Sequence, residues 1–340
     1  MIVTYIRSSS YNSYDYCQMQ YFITYTLGHR SDSGKKADLG TMVHKVMEVL
    51  AGLKKYQQDH PRAKYLQVED DAIGKWKINK DHLLTRECVE ELADASFESY
   101  KKNSKHKWIK SDRKEISRLC WLALEWNDGQ FDPRLRDVVD PEPHFDIPIE
   151  EDWAKFDYTM PNGEQVSGQL AIKGTIDLVT KVDDETIEVV DWKTGRRLDW
   201  ATGQEKDYKK LCKDPQLLLY NYAISKLYPQ YKQAIMSIFF IKDGGPFSMC
   251  FDESDQEMFL GMLKDRFFEI RNQQKPKPLN EDRSHWKCVK LCHFYKNNWP
   301  GTDVPMCKYI GQKLKEEGME QTVKKCTAEG FSIGHYEAPG

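Results

Sequence analysis

Apolar residues in the first third of the chain recur at helical spacing. Val43, Val46, Met47 and Leu50 follow Gly40 on one face, and Leu83, Leu84, Val89 and Leu92 repeat the pattern. Roughly the first 130 residues are therefore predicted to be mostly helical. Around Pro141 the period shortens to two. The segments FDIPI from Phe145, KGTIDLVTKV from Lys173 and ETIEVVDWK from Glu185 alternate as strands do, and Asp183 and Asp184 separate the last two as a hairpin would. A helix is predicted for DPQLLLYNYAISKLY from Asp214, strands for AIMSIFFIK from Ala234 and FSMCF from Phe247, and a further helix opened by a capping box from Ser254 to Glu257. Strands interleaved with helices give an α/β class. The run KPKPLN near 275–280 marks a boundary. The expected division is a helical region 1–140, an α/β core 141–274 and a cysteine-containing segment 275–340, with no internal repeat.

A chain of 340 residues, 40% hydrophobic and 30% charged, is that of a soluble globular protein of one large or two ordinary domains. The formal charge of -3 gives no overall attraction to a polyanion, so binding of nucleic acid would need a local basic patch. The opening residues MIVTYIRSSS lack the apolar stretch of about 7–15 residues of a secretory leader, and no run approaches the roughly 20 apolar residues needed to span a bilayer. The expectation is an intracellular, cytoplasmic protein with no membrane partner. Nine cysteines in a reducing compartment are expected as core thiols or metal ligands rather than as a disulfide framework.

The segment ETIEVVDWK combines strand patterning with unusual chemistry. Alternation places Ile187, Val189, Asp191 and Lys193 on one face and Glu188, Val190 and Trp192 on the other. On the preceding strand Asp177 is out of phase with Ile176 and Leu178. Asp177 can face Asp191 only if the hairpin connection is odd, as Asp183-Asp184-Glu185 is, or contains a bulge. A two-residue turn would oppose it to Val190. Two carboxylates brought that close repel one another unless a cation lies between them. Mg²⁺ or Mn²⁺ suits such a pair and can polarise a phosphodiester, while Lys193 would orient or activate the attacking water. From the hairpin alone, a strand ending in a turn with an edge aspartate explains the same residues equally well.

Further motifs surround this hairpin. Gly174-Thr-Ile-Asp177, Asp191-Trp-Lys193-Thr194-Gly195 and Gln216-Leu-Leu-Leu-Tyr220 reproduce, in order and spacing, the GxxD, DxKTG and QxxxY pattern. Together with Gly40-Thr-Met-Val-His44 upstream, they resemble the RecB-type nuclease domains of the PD-(D/E)XK superfamily. The resemblance implies a restriction-endonuclease-like fold, a mixed central sheet flanked by helices, and metal-dependent hydrolysis of phosphodiester bonds in DNA. It implies that His44, Asp177, Asp191 and the backbone carbonyl of Trp192 hold Mg²⁺ or Mn²⁺, and that Lys193 is the catalytic lysine. Gln216 and Tyr220, one helical turn apart, would bind the substrate backbone and brace the lysine. The segment Glu142-Pro-His-Phe145 resembles a glutamate-bearing strand that often precedes GxxD.

One early and three late cysteines, Cys17, Cys288, Cys292 and Cys307, resemble the iron-sulfur arrangement of one branch of that family, which includes the AddB nuclease domain and the CRISPR adaptation nucleases. A four-iron four-sulfur cluster takes four thiolates, as does a structural zinc. The spacing departs from the family's CxxC, since here CxxxC is followed by a fourteen-residue gap. Cys326 and His293 remain alternatives to Cys307, and zinc remains an alternative to iron-sulfur. Cys88, Cys120, Cys212 and Cys250 are expected to be structural thiols.

Between DxKTG and QxxxY, Arg196, Arg197, Lys206, Lys209 and Lys210 mix with Trp200 and Tyr208, the residue types of a single-strand channel and equally of a solvated loop. Lys101 to Lys110 forms a second basic run. With no GxxxxGK[ST] loop present, the chain would be a stand-alone exonuclease, cellular or phage-encoded, acting on single strands or DNA ends in recombination or repair. The alternatives are a CRISPR-adaptation-type nuclease working with partner proteins and an inactive DNA-binding module.

Overall fold

The apolar run that ends in Asp191-Trp192-Lys193 lies at the centre of a five-stranded sheet. The computed structural model describes residues 1–159, 163–198, 203–279 and 281–331, the side chains of 281–285 excepted. The chain forms two compact units, each assembled from separated stretches: 33–144 with 175–252, and 1–32 with 145–174 and 253–340. These units cut across the contiguous division expected from the sequence.

In the first unit, helix α1 (Lys35–Asp59) buries Met42, Val43, Val46, Met47, Leu50 and Leu53, the stripe that the spacing predicted. Each such side chain contributes about 1.5–3 kcal/mol by leaving water. Strands β1 (Tyr65–Asp70) and β2 (Gly74–Asn79) form an antiparallel hairpin in a region expected to be helical. Its buried apolar residues are few, Leu66 and Ile78 with Val68 and Trp76 partly covered, so its alternation is weak against the lysines and glutamates around it. Helices α2 (Arg86–Asn103) and α3 (Lys110–Leu124) complete the helical layer.

The sheet consists of β3 (Asp137–Pro141), β4 (Leu178–Lys181), β5 (Thr186–Lys193), β6 (Gln233–Phe240) and β7 (Gly245–Cys250), in the order β7-β6-β5-β4-β3. Only β5 and β6 run parallel, and helix α4 (Pro215–Leu227) connects them as a parallel pair requires. The central position of β5 explains why Ile187 through Trp192 are all buried. Val190 and Trp192 join Leu178, Phe239 and the apolar stripe of α1 in one core. This is a mixed α/β sheet flanked by helices, the class expected from the alternation of elements.

Two expectations need correction. The single strand read through KGTIDLVTKV is two strands, Ala171–Thr175 and β4, interrupted at Ile176 and Asp177. The halves pair with different partners, Tyr5–Ile6 and β5, which alternation alone cannot reveal. The helix assigned a Ser254 cap begins at Glu253 and places Glu253 and Asp255 in its first turn, where negative charge opposes the helix dipole favourably. Ser254 is therefore inside the helix.

The second unit contains a three-stranded sheet of Tyr5–Ile6, Ala171–Thr175 and His144–Pro148, and the hairpin Lys155–Thr159 with Gln165–Gln169. Around these lie the helices Ser8–Tyr16, Glu253–Asn272, Glu281–Leu291 and Met306–Cys326. Gly174 is required here, because a Cβ on it would lie 2.5 Å from the Phe145 ring. Among the described residues no helix is long and apolar enough to cross a membrane.

Candidate active site

Strand register decides whether the two aspartates meet. Val190 pairs with Leu178 and Val189 with Val179, a register that continues to Asp191 across from Asp177. The Val182 N–H donates to Thr186 O at 2.9 Å, closing the three-residue turn Asp183-Asp184-Glu185. This is the odd connection that facing aspartates require. Asp177 immediately precedes β4, and its Oδ2 accepts the Trp192 N–H at 2.8 Å.

Helix α1 brings His44 to this point, with Nδ1 3.2 Å from Asp177 Oδ1. Lys193 Nζ lies 2.6 Å from Asp191 Oδ2. From α4, Gln216 Nε2 donates to Asp191 Oδ1 at 3.0 Å and to Tyr220 Oη at 2.8 Å, while Tyr220 Oη donates to Thr175 O at 2.7 Å. Asp214 caps α4 by accepting the Gln216 N–H at 3.0 Å and is paired with Lys206 at 2.6 Å, which fixes the turn that presents Gln216. The structure thus brings together His44, Asp177, Asp191, Lys193, Gln216 and Tyr220.

The electrostatics separate the two acids. Burial pushes the Asp191 carboxyl up to about 6, with Asp177 adding repulsion that Lys193 only partly offsets. Burial also acts on Asp177, but His44, Lys193 and the Trp192 N–H outweigh it and hold that carboxyl below its ordinary value. Burial opposes charge on His44 and Lys193 too. Asp177 overcomes it for the imidazole, and Asp191 with Asp177 for the ammonium, so both pKa values are raised. Tyr220 is driven well above the usual phenol range, first by burial and then by the aspartates, so it remains a neutral hydrogen-bonding group.

As the side chains stand, no three imidazole, thiol or carboxylate groups among the described residues converge closely enough to hold an ion. His44 and Lys193 supply the positive charge instead. The residues nevertheless fit a hard divalent cation. Asp191 Oδ2 is buried and, among the described residues, meets the Lys193 ammonium alone, and the donor set of two carboxylates and an imidazole is of the right type.

Two motif residues explain each other. A Cβ on Gly40 would lie 2.6 Å from Thr194 Oγ1, so glycine lets α1 close over the turn after Lys193. Gly40→Ala is expected to destabilise by about 1–3 kcal/mol through overpacking. Adding Thr194→Ala should restore stability to the wild-type level or above it, because alanine is otherwise the better helix former by about 1 kcal/mol. Chemical denaturation of the single and double variants measures this coupling, and an unchanged penalty in the double variant would refute it.

Sequence reasoning passed over Glu48, which stands at i+4 from His44 on α1. It forms an ion pair with Lys45, itself 2.7 Å from Asp70. Burial, with Glu142 beside it, pushes the Glu48 carboxyl up to about 8 against the pull of Lys45. Glu142 adopts a φ of 56°, in the left-handed region that non-glycine residues rarely enter. The His-x-x-x-Glu spacing was the available signal.

The family model of the PD-(D/E)XK nuclease superfamily matches residues 8–297. The chain belongs to the PD-(D/E)XK nuclease superfamily. No curated protein matches it significantly. A solved structure named "Putative exonuclease", from Eubacterium rectale, is similar at 9% identity with a TM-score of 0.45, covering 90% of this chain and 92% of that one.

In the second unit of this PD-(D/E)XK chain, Cys17, Cys288, Cys292 and Cys307 lie within electrostatic reach of one another. Burial pushes the Cys307 thiol up to about 12, and Cys292, Cys288 and Cys17 each add to the rise. The loop between Cys292 and Cys307 folds back on itself, with Trp299 N–H donating to Val304 O and Met306 N–H to Asn297 O, both at 2.9 Å. The fourteen-residue gap is thereby closed. Cys326 is at the far end of the helix that begins at Met306, and His293 bonds to Asn297 and to the Asp32 N–H. Four gathered thiols fit a cluster or a zinc ion in donor chemistry, although the Sγ atoms do not stand at ligand distance from a common centre.

Of the basic loop residues, Arg196, Lys209 and Lys210 are exposed. Arg197 is engaged, 3.1 Å from Glu205 and over the Phe247 ring. Trp200 lies outside the described residues.

Proposed function

We propose that this chain is a Mg²⁺- or Mn²⁺-dependent deoxyribonuclease, an exonuclease acting on single-stranded DNA or DNA ends in recombination or repair. The observation that carries the reading is the register that sets Asp177 across from Asp191, with Lys193 and His44 on the same pair. His44, Asp177, Asp191 and the Trp192 carbonyl would hold the cation, which when bound would polarise the scissile phosphate and lower the pKa of water. Lys193 would offer its ammonium to the attacking water and the phosphate oxygens. Gln216 keeps Asp191 oriented, and the neutral Tyr220 hydroxyl anchors Gln216. The exposed Arg196, Lys209 and Lys210 would meet the DNA backbone, as would Arg197 if its pairing with Glu205 opens.

End-labelled linear and internally labelled circular single strands test this reading when incubated with Mn²⁺. Degradation of linear strands from one end with circles left intact is expected, and cleavage of circles would overturn the exonuclease assignment.

The reading includes a four-iron four-sulfur cluster on Cys17, Cys288, Cys292 and Cys307, with zinc as the less favoured occupant. Backbone N–H groups of Phe294 and Tyr295 already point at Cys292, and that of Gln20 at Cys17 with a separation of 3.4 Å. Such N–H groups stabilise thiolate sulfur. Protein purified without oxygen is expected to be brown with about four irons per chain. Cys307→Ala should lose iron and colour while Cys326→Ala keeps both. A colourless, iron-free wild type, or full retention of iron in Cys307→Ala, would contradict the assignment.

A further inference from the structure

The hairpin β1–β2 presents an outer face that the proposed chemistry does not use. Leu66 and Ile78 turn into the core of the first unit, so Tyr65, Gln67 and Glu69 share the opposite face with Lys75, Lys77 and Asn79, their cross-strand partners. Tyr65 is 47% exposed. Lys64 Nζ and Lys77 Nζ lie 5.8 and 5.0 Å from its ring centroid. Arg62, Lys64, Lys75, Lys77 and Lys80 are all exposed. Among the described residues these five form no ion pair, in contrast to neighbouring Lys45 and Lys55, which do. Three acids adjoin these cations, Glu69 on the face itself across from Lys75, Asp71 in the turn and Asp81 beside Lys80.

The ribbon lies along α1. A Cβ on Gly52 would lie 3.0 Å from Val68, and Asp70 at the turn end is tied to Lys45, the residue after His44. The turn is thus anchored beside the metal-ligating histidine, and the Tyr65 end lies further along α1. Lys75 and Lys77 are spaced by about 6.8 Å, the two-residue repeat of a strand. Unneutralised cations in a row, on a chain whose formal charge is -3, complement a phosphate backbone, and an exposed aromatic ring among them complements a base.

We propose that the outer face of β1–β2 is a second binding surface for single-stranded DNA, in which Tyr65 stacks on a base while Arg62, Lys64, Lys75, Lys77 and Lys80 contact successive phosphates. It holds the strand away from the reacting bond and so governs affinity rather than the chemical step. This inference rests on DNA being the substrate.

Binding of a labelled oligothymidylate is measured by anisotropy in EDTA, where metal-dependent cleavage cannot occur. The double variant Lys75→Glu/Lys77→Glu is expected to bind about tenfold more weakly or worse, and the slope of log affinity against log salt should shrink by about 1.4. Tyr65→Ala should lose about fivefold or more while Tyr65→Phe retains affinity. With Mn²⁺ these variants should show a raised KM and an unchanged kcat. Lys64→Gln/Lys80→Gln serves as the milder pair should the charge reversals fail to fold. Affinity and salt slope unchanged in folded variants would overturn the proposal, including where the face serves an acidic protein instead. Because the readout needs no metal, altered binding with no cleavage by the wild type would sink only the nuclease reading, and unchanged binding with normal cleavage would sink only the ribbon.

Discussion

Lys193→Ala is expected to reduce the single-turnover rate of DNA cleavage by about 10³-fold, within the range seen when one preorganised electrostatic group is removed. The ammonium is held 2.6 Å from Asp191 and its pKa is raised because the two aspartates outweigh its burial, so it is charged throughout the working pH range. Alanine removes that charge at the phosphate without removing a metal donor. Metal affinity should therefore hold or improve, since a positive charge leaves the neighbourhood of the cation. Lys193→Arg should not rescue the rate, because a planar guanidinium cannot replace a compact ammonium beside a buried carboxylate. Rate measurements at saturating Mn²⁺ separate the two effects. A rate within tenfold of the wild type, or a matching loss of metal affinity, would show that Lys193 has another role.

Asp177→Asn and Asp191→Asn are expected to abolish cleavage alike and yet to shift stability in opposite directions. The folded pKa of Asp191 is raised to about 6 from 3.8. The folded chain therefore binds this proton more tightly than the unfolded one, and the resulting stabilisation is complete below the unfolded value and lost as pH rises through about 6. At pH near 7.5 the metal-free protein carries a carboxylate that folding disfavours, and asparagine relieves it. Asp177 has the reverse sign. Its pKa is lowered in the folded state, so it stabilises above the unfolded value, and that contribution is lost as pH falls through the lowered one. Asparagine there removes the charge that pairs with His44. Metal-free Asp191→Asn should melt above the wild type near pH 7.5 and Asp177→Asn below it, each by on the order of a few °C. The Asp191→Asn gain should close near pH 4. Thermal melts in EDTA at the two pH values read this directly, and shifts of the same sign would refute the division of roles.

What the sequence disclosed follows from what is local. The chemistry of β5 lies within one strand, where period two fixes which residues share a face, whereas the odd turn Asp183-Asp184-Glu185 and a two-residue turn were equally open until the register decided between them. His44 and the Gln216 to Tyr220 pair sit on helices whose apolar stripes set their orientation. The β1–β2 hairpin was not legible, because only half of each short strand is apolar and the exposed half is dense with charge. Nor was the break at Ile176 and Asp177, since strand propensity does not specify a pairing partner. The assembly of each compact unit from distant stretches has no local signature. Glu48 and Glu142 are nearly a hundred residues apart, and only the fold reveals that they meet. The cysteine spacing likewise carries no trace of the hydrogen bonds of Trp299 and Met306 that fold the loop between Cys292 and Cys307 back on itself.

The most direct test of the account is the metal dependence of cleavage in the wild type and in Asp177→Asn. Metal-free protein is mixed with labelled single-stranded DNA in EDTA, and Mn²⁺ is then added in excess. No cleavage is expected in EDTA, cleavage by the wild type is expected after addition, and none is expected by Asp177→Asn at any Mn²⁺ concentration. Wild-type cleavage that persists in EDTA, or cleavage by Asp177→Asn at the wild-type rate, would contradict the account.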